Sequence, residues 1–379
     1  MFGNLRSTTL GLKIREKLYP AYTGDEEVRI HVRQALDRFA RCPDKKTRSR
    51  IRREMGVCRH YWKCNPYQYY IQDLYQIDRD LTDDELCSYI PPFFWYKVFL
   101  PYHTSRAYSF IGENKIVIEH FFRSLAIPRP TTLGIILDGA IYSPAMEHLT
   151  VAQLLETAAE KIFVKPVDGW GGRNIHVFYR TGDGEYATRD SVKFRDFIRD
   201  LAGRKTDALV QEGVSQDPGI AKIYPGSVNT SRIITENKYG TVRPVGAVLR
   251  MGRGGAEIDN ISSGGICTHI DILTGKTGDF ALSMAHETFS EHPDTHIPFA
   301  TCSVPHWEEI LEFTLSCAGK LPFLTYVGWD IAVTPDGPVA IEINRLPTVD
   351  IMESTSSGMR DAFRIDDPGF YWKHPINRH

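Results

Sequence analysis

No apolar run in the 379-residue sequence approaches the ~18 residues a transmembrane helix needs, and no continuous apolar stretch follows Met1 as a secretory start would require. Seven cysteines are present: Cys42, Cys58, Cys64, Cys87, Cys267, Cys302 and Cys317. The number is odd, and no two show the spacing of a zinc site or redox dithiol. Reduced thiols and a cytoplasmic location are therefore expected. Charge of one sign is also lacking. A formal net charge of −2 excludes a nucleic-acid binder that works through bulk electrostatics. Internal repeats and low-complexity tracts are absent, which excludes solenoids and disordered linkers.

What is there reads as an ordinary globular protein, 42% hydrophobic and 24% charged, long enough for two or three lobes. The first region, 1–105, is expected to be mainly helical. Val28, Ile30, Val32, Ala35, Leu36 and Phe39 recur at helical spacing after Asp25-Glu26-Glu27, and Thr82 with Glu85 forms a capping-box pattern. A basic stretch from Lys45 to Lys63 fits either the solvated face of a helix or a dock for an anionic partner such as a glycan, a carrier or RNA. A second region, 106–213, contains an amphipathic helix over 114–126, closed by Pro128 and Pro130. After Lys161 short apolar runs alternate with glycine-rich turns, so the second half is expected to be α+β on mostly antiparallel sheet, a smaller lobe ending the second region and a larger one forming a third, 214–379. Its tail from about Gly358 is expected to wrap an existing surface.

The strongest local signal is Gly328-Trp329-Asp330-Ile331-Ala332-Val333, a Thr334-Pro335-Asp336-Gly337-Pro338 turn, then Val339-Ala340-Ile341-Glu342-Ile343-Asn344. This is a β-hairpin. Alternation puts Glu342 and Asn344 on one face and Val339, Ile341 and Ile343 on the other; a loop from Thr334 to Pro338 sets Asp330 opposite Glu342. Two carboxylates and an amide oxygen on an otherwise apolar hairpin suit Mg²⁺, with solvated acids on an outer face as the plain alternative.

A second signal is Phe163-Val164-Lys165-Pro166 before Asp168-Gly169-Trp170-Gly171-Gly172, a lysine ending a strand ahead of a glycine-rich turn. Such a pair can surround a polyphosphate, or be a simple hairpin turn. It lacks the Gly-Lys-Ser/Thr of a P-loop and the order of a dinucleotide fingerprint. Ala208-Leu209-Val210-Gln211-Glu212 is an apolar strand with a polar end that can offer backbone groups to a purine. Asn229, Arg232, Arg250 and Asn260 form a set of cations and amides suited to phosphate or carboxylate capture. His286, His292 and His296 fit a proline-bearing loop better than a metal site.

Taken in order, these segments resemble the ATP-grasp superfamily over Ile111 to Ile351. The likeness is nearest to its sugar-transfer-associated and glutamate-ligase-like branches, with D-alanine–D-alanine ligases further off. The resemblance implies two α+β lobes clasping ATP after a helical N-terminal region. It implies that Lys115 (with Asn114 in place of the usual acid) and Lys165 contact phosphates. Gly169, Gly171 and Gly172 would cover the phosphates, and Gln211 and Glu212 would form the adenine hinge. Arg232, Arg250 and Asn260 would be catalytic; Asp330, Glu342 and Asn344 would bind Mg²⁺. Arg345-Leu346-Pro347 departs from the small residue, Pro and Gly of many relatives.

The implied cofactors are ATP and Mg²⁺. The implied reaction is carboxylate activation and joining to an amine or other nucleophile, with small-molecule substrates and no nucleic acid. Phosphorylation of a hydroxyl, or nucleotide binding by a non-catalytic adaptor, are the alternatives.

Overall fold

The computed structural model describes residues 26–156, 158–168 and 174–374. Asp25, Gly169, Gly171 and Gly172 lie outside the described residues. Two compact units form, one from 1–106 with 346–379, the other from 107–345.

The first unit is helical. Helix Glu26–Arg41 buries Val28, Val32 and Ala35, as its three-four spacing requires. Helix Arg48–Trp62 begins at Thr47, whose hydroxyl accepts from the Arg50 N–H, and buries Ile51, Cys58 and Trp62. It also buries Glu54. That carboxylate accepts from Lys46 Nζ at 2.9 Å, Arg50 Nε at 2.7 Å and the Tyr69 hydroxyl at 2.6 Å. Arg53 pairs with Asp83 at 2.7 Å. Part of the basic stretch is thus committed to ion pairs inside this unit. Thr82 and Glu85 form the reciprocal capping box of helix Asp83–Ser88.

The unit also takes in 346–379, a segment that the sequence reading grouped with the third region. Glu353, fully buried, accepts the N–H groups of Ile90 (2.9 Å) and Met359 (3.1 Å). Arg360 grips both oxygens of Asp84 at 2.8 and 3.2 Å, and Trp372 Nε1 donates to the Trp62 carbonyl. Apart from the local Met359–Glu353 contact, these partners lie 263 to 310 residues apart, so no local pattern announces them.

The second unit holds two antiparallel sheets. The first contains β1 (Thr132–Leu137), β2 (Ala140–Tyr142), β3 (His148–Leu149), β4 (Lys161–Pro166), β5 (His176–Arg180), β6 (Tyr186–Ala187) and β7 (Ala208–Glu212), in the order β3-β2-β1-β7-β4-β5-β6. It begins earlier than the change of texture at Lys161 suggests. Gly134 and Gly139 interrupt the apolar run that would have marked β1 and β2. Gly134 leaves room for its neighbours: a Cβ there would stand 2.5 Å from Leu154 Cδ1 and 3.2 Å from the Tyr142 carbonyl oxygen, so the Leu154 side chain would have to shift. Helix Phe194–Arg204 covers this sheet, setting Phe197 and Leu201 into a core with Ile136, Val164 and Phe178.

The second sheet contains β8 (Thr230–Lys238), β9 (Thr241–Met251), β10 (Ile266–Ile270), β11 (Thr277–Ser283), β12 (Thr288–Phe289), β13 (Tyr326–Thr334) and β14 (Gly337–Asn344), ordered β12-β11-β10-β9-β8-β13-β14. Helices Trp307–Gly319 and Lys115–Ser124 contribute to its core, and Phe122 stacks on Trp329 with ring centroids 6.3 Å apart. Fully burying an aromatic of this kind stabilises by about 1.5–3 kcal/mol. The amide oxygen of Asn114 caps helix Lys115–Ser124, accepting from the N–H groups of Ile116 and Val117 and so fixing where Lys115 emerges. No described helix is long and apolar enough to cross a membrane.

The β13–β14 hairpin reaches the expected pairing by another route. Thr334 pairs with Gly337, so the turn is tighter than a loop from Thr334 to Pro338. A bulge between Asp330 and Ile331 then restores Asp330 to Glu342. The bulge breaks simple alternation. Ile343 is buried, whereas Ile341, expected on its face, lines the same cleft as Glu342.

Candidate active site

Antiparallel register builds a row of charge across the second sheet. Glu342 lies opposite Asp330, and Asp330 opposite Arg232; two residues along β8, Thr230 lies opposite Arg250. Residues two apart on a strand share a face, so these side chains converge. Arg232 forms a two-pronged ion pair with Asp330, through Nε and, at 2.9 Å, Nη2. Arg250 Nη1 reaches the same carboxylate at 2.9 Å, and its Nη2 reaches Asp259 at 3.3 Å. The Thr230 hydroxyl donates to the other oxygen of Asp259.

Burial pushes the Asp330 carboxyl up, but the fields and hydrogen bonds of Arg232 and Arg250 outweigh it and hold Asp330 below the usual carboxylate range. Burial works against the Arg250 charge too, yet Asp259 and Asp330 keep its pKa above the ordinary one. At Asp259 burial wins, and its carboxyl sits above the usual range despite Arg250.

The first sheet supplies the opposite wall. Phe163 and Lys165 on β4, with Leu209 and Gln211 on the neighbouring β7, all line the cleft. Lys165 Nζ donates to Gln211 Oε1 at 2.8 Å, and Gln211 Nε2 donates in turn to the Thr132 hydroxyl at 3.2 Å. Burial lowers the Lys165 ammonium to a pKa of about 8; Glu342 works against that shift and Lys115 with it.

The cleft is open to solvent and encloses a cavity of about 120 Å³. Of the residues singled out from sequence, Lys115, Lys165, Gln211, Glu212, Arg250, Asn260, Asp330 and Glu342 line it. Arg232 stands behind, reaching the cleft through Asp330. Asn344 pairs with Gly328 at the hairpin's end, outside the lining, with its Nδ2 buried and without a hydrogen-bond partner. Asn229 serves the backbone instead, donating to the carbonyls of Ile220 and Tyr224. The histidines do not gather. His292 is buried, with Nε2 on the Gly252 carbonyl and Nδ1 accepting the Asp294 N–H, while His296 pairs with Glu291.

Sequence reasoning passed over four cleft residues with clear partners: Thr230, Asp259, and the pair Glu119–Arg129, joined at 2.7–3.0 Å. Asp259 was visible only as the neighbour of Asn260. Asn260 accepts from the Ser262 N–H and hydroxyl and opens the short 3₁₀ turn Ile261–Ser263. Gly265 lets that turn fold back, since a Cβ there would stand 2.6 Å from the Asp259 carbonyl oxygen and 2.8 Å from that of Met251.

Among the described residues no three of His, Cys, Asp and Glu gather as a metal site. Asp330 and Glu342 are nevertheless paired hard-oxygen donors, and Asn344 follows two residues along the same strand. That donor set suits Mg²⁺ better than a thiophilic metal.

The sequence matches the model of the sugar-transfer associated ATP-grasp family over residues 97–364. No curated protein matches it. Among solved structures it is similar to D-alanine–D-alanine ligase from Bacillus anthracis, at 14% identity over 69% of this chain and 66% of that one, TM-score 0.39. It is also similar to D-cycloserine synthetase DcsG, at 11% over 71% of each chain, TM-score 0.38. A third, an L-amino acid ligase from Bacillus licheniformis, shows 11% identity over 62% of this chain, TM-score 0.33; the present chain spans 40% of that ligase. With the family model covering well over half of its length, the chain belongs to the sugar-transfer associated ATP-grasp family: an α+β ATP-grasp fold from about residue 97, preceded by a helical region.

Proposed function

We propose that the protein is an ATP- and Mg²⁺-dependent ligase that activates a carboxylate as an acyl phosphate and joins it to an amine. One observation carries the reading: Lys165 from one sheet, and Arg250 with the acid pair Asp330 and Glu342 from the other, line a single cleft. ATP is a co-substrate in this reading, with Lys115 and Lys165 facing its phosphates. The Gln211 side chain is engaged with Lys165 and Thr132, and the Glu212 N–H donates to the Thr131 carbonyl, so neither of these groups is left to meet a purine. Asp330, Glu342 and Asn344 would hold Mg²⁺, which when bound neutralises phosphate charge.

The substrate carboxylate takes the γ-phosphoryl group and ADP leaves. The amine then attacks the acyl carbon, the carbon–oxygen bond to phosphate breaks, and inorganic phosphate departs. Lys165 and Arg232 offset the charge that builds on the transferring group; Arg250 orients the carboxylate, with Asn260 beside it. Little covalent protein chemistry is required.

ADP release should be measured with Mg²⁺-ATP against pooled amino acids, sugar acids and amines, with and without hydroxylamine. Substrate-dependent ADP with hydroxamate is the expected result. ADP without hydroxamate would replace the ligase by a kinase. Nucleotide binding without substrate-dependent ADP in any pool would point to a binding module.

A further inference from the structure

Segment 252–260, leaving the end of β9, carries Glu257, Asp259 and Asn260 to the cleft. It is anchored on the second-sheet side. His292 Nε2 meets the Gly252 carbonyl at 2.9 Å, the Tyr224 hydroxyl donates to the Ala256 carbonyl at 2.9 Å, and the Gly254 N–H donates to Asp294 at 2.7 Å. Its far side reaches the other sheet. Glu257 lies 3.7 Å from Lys161 Nζ on β4 and 3.3 Å from Arg189 Nη2, just beyond β6. Both cations are themselves held. Lys161 lies over the rings of Phe163 (4.9 Å) and Tyr179 (5.6 Å), and Arg189 over Tyr179 (5.6 Å). The Lys161 carbonyl also accepts the Gly213 N–H at the end of β7.

We propose that Glu257 is a positioning residue: its ion pairs to Lys161 and Arg189 strap this loop to the first sheet, and the strap sets how fast nucleotide leaves the cleft. The assignment rests on the nucleotide-binding reading above. It follows from which elements the pairs join. Among the described residues, Glu257 and its two cations are the ion-paired groups that tie this loop to the first sheet, and Phe163, under Lys161, lines the cleft with Glu257. Arg189 is 64% exposed, so the strap is weak and screened by salt. Weakness suits it. A strap that had to open at every turnover could not be a deeply buried pair. Asp259 and Asn260, one and two residues beyond Ile258, are held over the cleft by the same device.

The test is the release rate of a fluorescent N-methylanthraniloyl ATP with Mg²⁺, measured by stopped flow against excess ATP. Glu257→Gln should release the probe about five-fold faster than wild type, and the acceleration that wild type shows between about 0.05 and 1 M salt should shrink. Arg189→Gln, which leaves only the Lys161 pair, should release the probe faster than wild type but more slowly than Glu257→Gln. Wild-type rate and wild-type salt response in Glu257→Gln would overturn the strap, as would faster release in Glu257→Gln with an undiminished salt response. If wild type bound no probe, the nucleotide reading itself would fall, and the strap with it.

Discussion

Lys165 makes the nucleotide reading testable without knowledge of either substrate. Its ammonium, held at a pKa of about 8 by burial, loses its charge above pH 8 in the nucleotide-free protein, whereas an ordinary lysine stays charged to 10.5. A bound polyphosphate favours the charged form and restores the higher pKa. Binding above pH 8 must therefore take up a proton, and affinity must fall as pH rises. The apparent dissociation constant scales with one plus the ratio of neutral to charged amine, about 1.1 at pH 7 and about 11 at pH 9, a tenfold loss. At pH 8.5 roughly 0.75 proton should be taken up per nucleotide, measurable by titration calorimetry in buffers of different ionisation enthalpy. Lys165→Arg stays protonated throughout and should flatten the profile. A flat wild-type profile between pH 7 and 9, or a tenfold fall that persists in Lys165→Arg, would refute the reasoning.

Asp330→Asn should abolish turnover and also destabilise, because Arg250 loses one of its two carboxylates inside the protein; breaking a buried pair costs about 3–5 kcal/mol, read as a lowered denaturation midpoint. Glu342→Gln touches none of those ion pairs, so it should abolish turnover with a melting temperature near wild type, and full activity would remove Glu342 from the site. In the helical unit Glu54→Gln leaves Lys46 buried beside a neutral amide and should cost about 3–5 kcal/mol; an unchanged urea midpoint would contradict the buried pair. Burial holds the Glu353 carboxyl well above 4.5, so the folded state binds more protons than the unfolded one and wild-type stability falls as pH rises above 4.5. Glu353→Gln does not titrate. Its melting temperature relative to wild type should improve steadily from pH 4 to pH 8, and a pH-independent difference would count against the shift.

Legibility followed range. The hairpin was readable because a Pro-Asp-Gly turn between two apolar strands is a local event, and so was the capping box at Thr82. The pairing of Asp330 with Glu342 was reached from a loop that is too long and a bulge that was not foreseen; the two differences cancel. A bulge leaves almost no trace in composition, since it depends on how β13 is also held by β8. Gln211 shows the same limit from the other side. Its place at the end of β7 is local, but its task, holding Lys165, depends on β4 pairing with β7 across 46 residues. The Ile90–Glu353 contact, which holds 346–379 to the helical unit, spans a longer separation still, 263 residues.

The charge row across the second sheet explains how such a site can be stable without ligand. Asp330 and Arg250 are both buried, and an isolated charge there would cost several kcal/mol. They are not isolated. Asp330 lies between the acid Glu342 and the guanidinium of Arg232, and Arg250 is shared between Asp330 and Asp259, so Asp330 and Arg250 each have an opposite neighbour. The row is then nearly self-neutralising, and the Thr230 hydroxyl satisfies the remaining oxygen of Asp259. An anionic ligand brought together with a divalent cation changes the net charge of such a row little: the acids can turn to the cation while the guanidinium groups turn to the anion. A ligand of one charge sign would leave half of the row unpaired. In the proposed reading, the pairing pattern itself favours metal-complexed phosphate over free phosphate, before any contact specific to the nucleotide is counted.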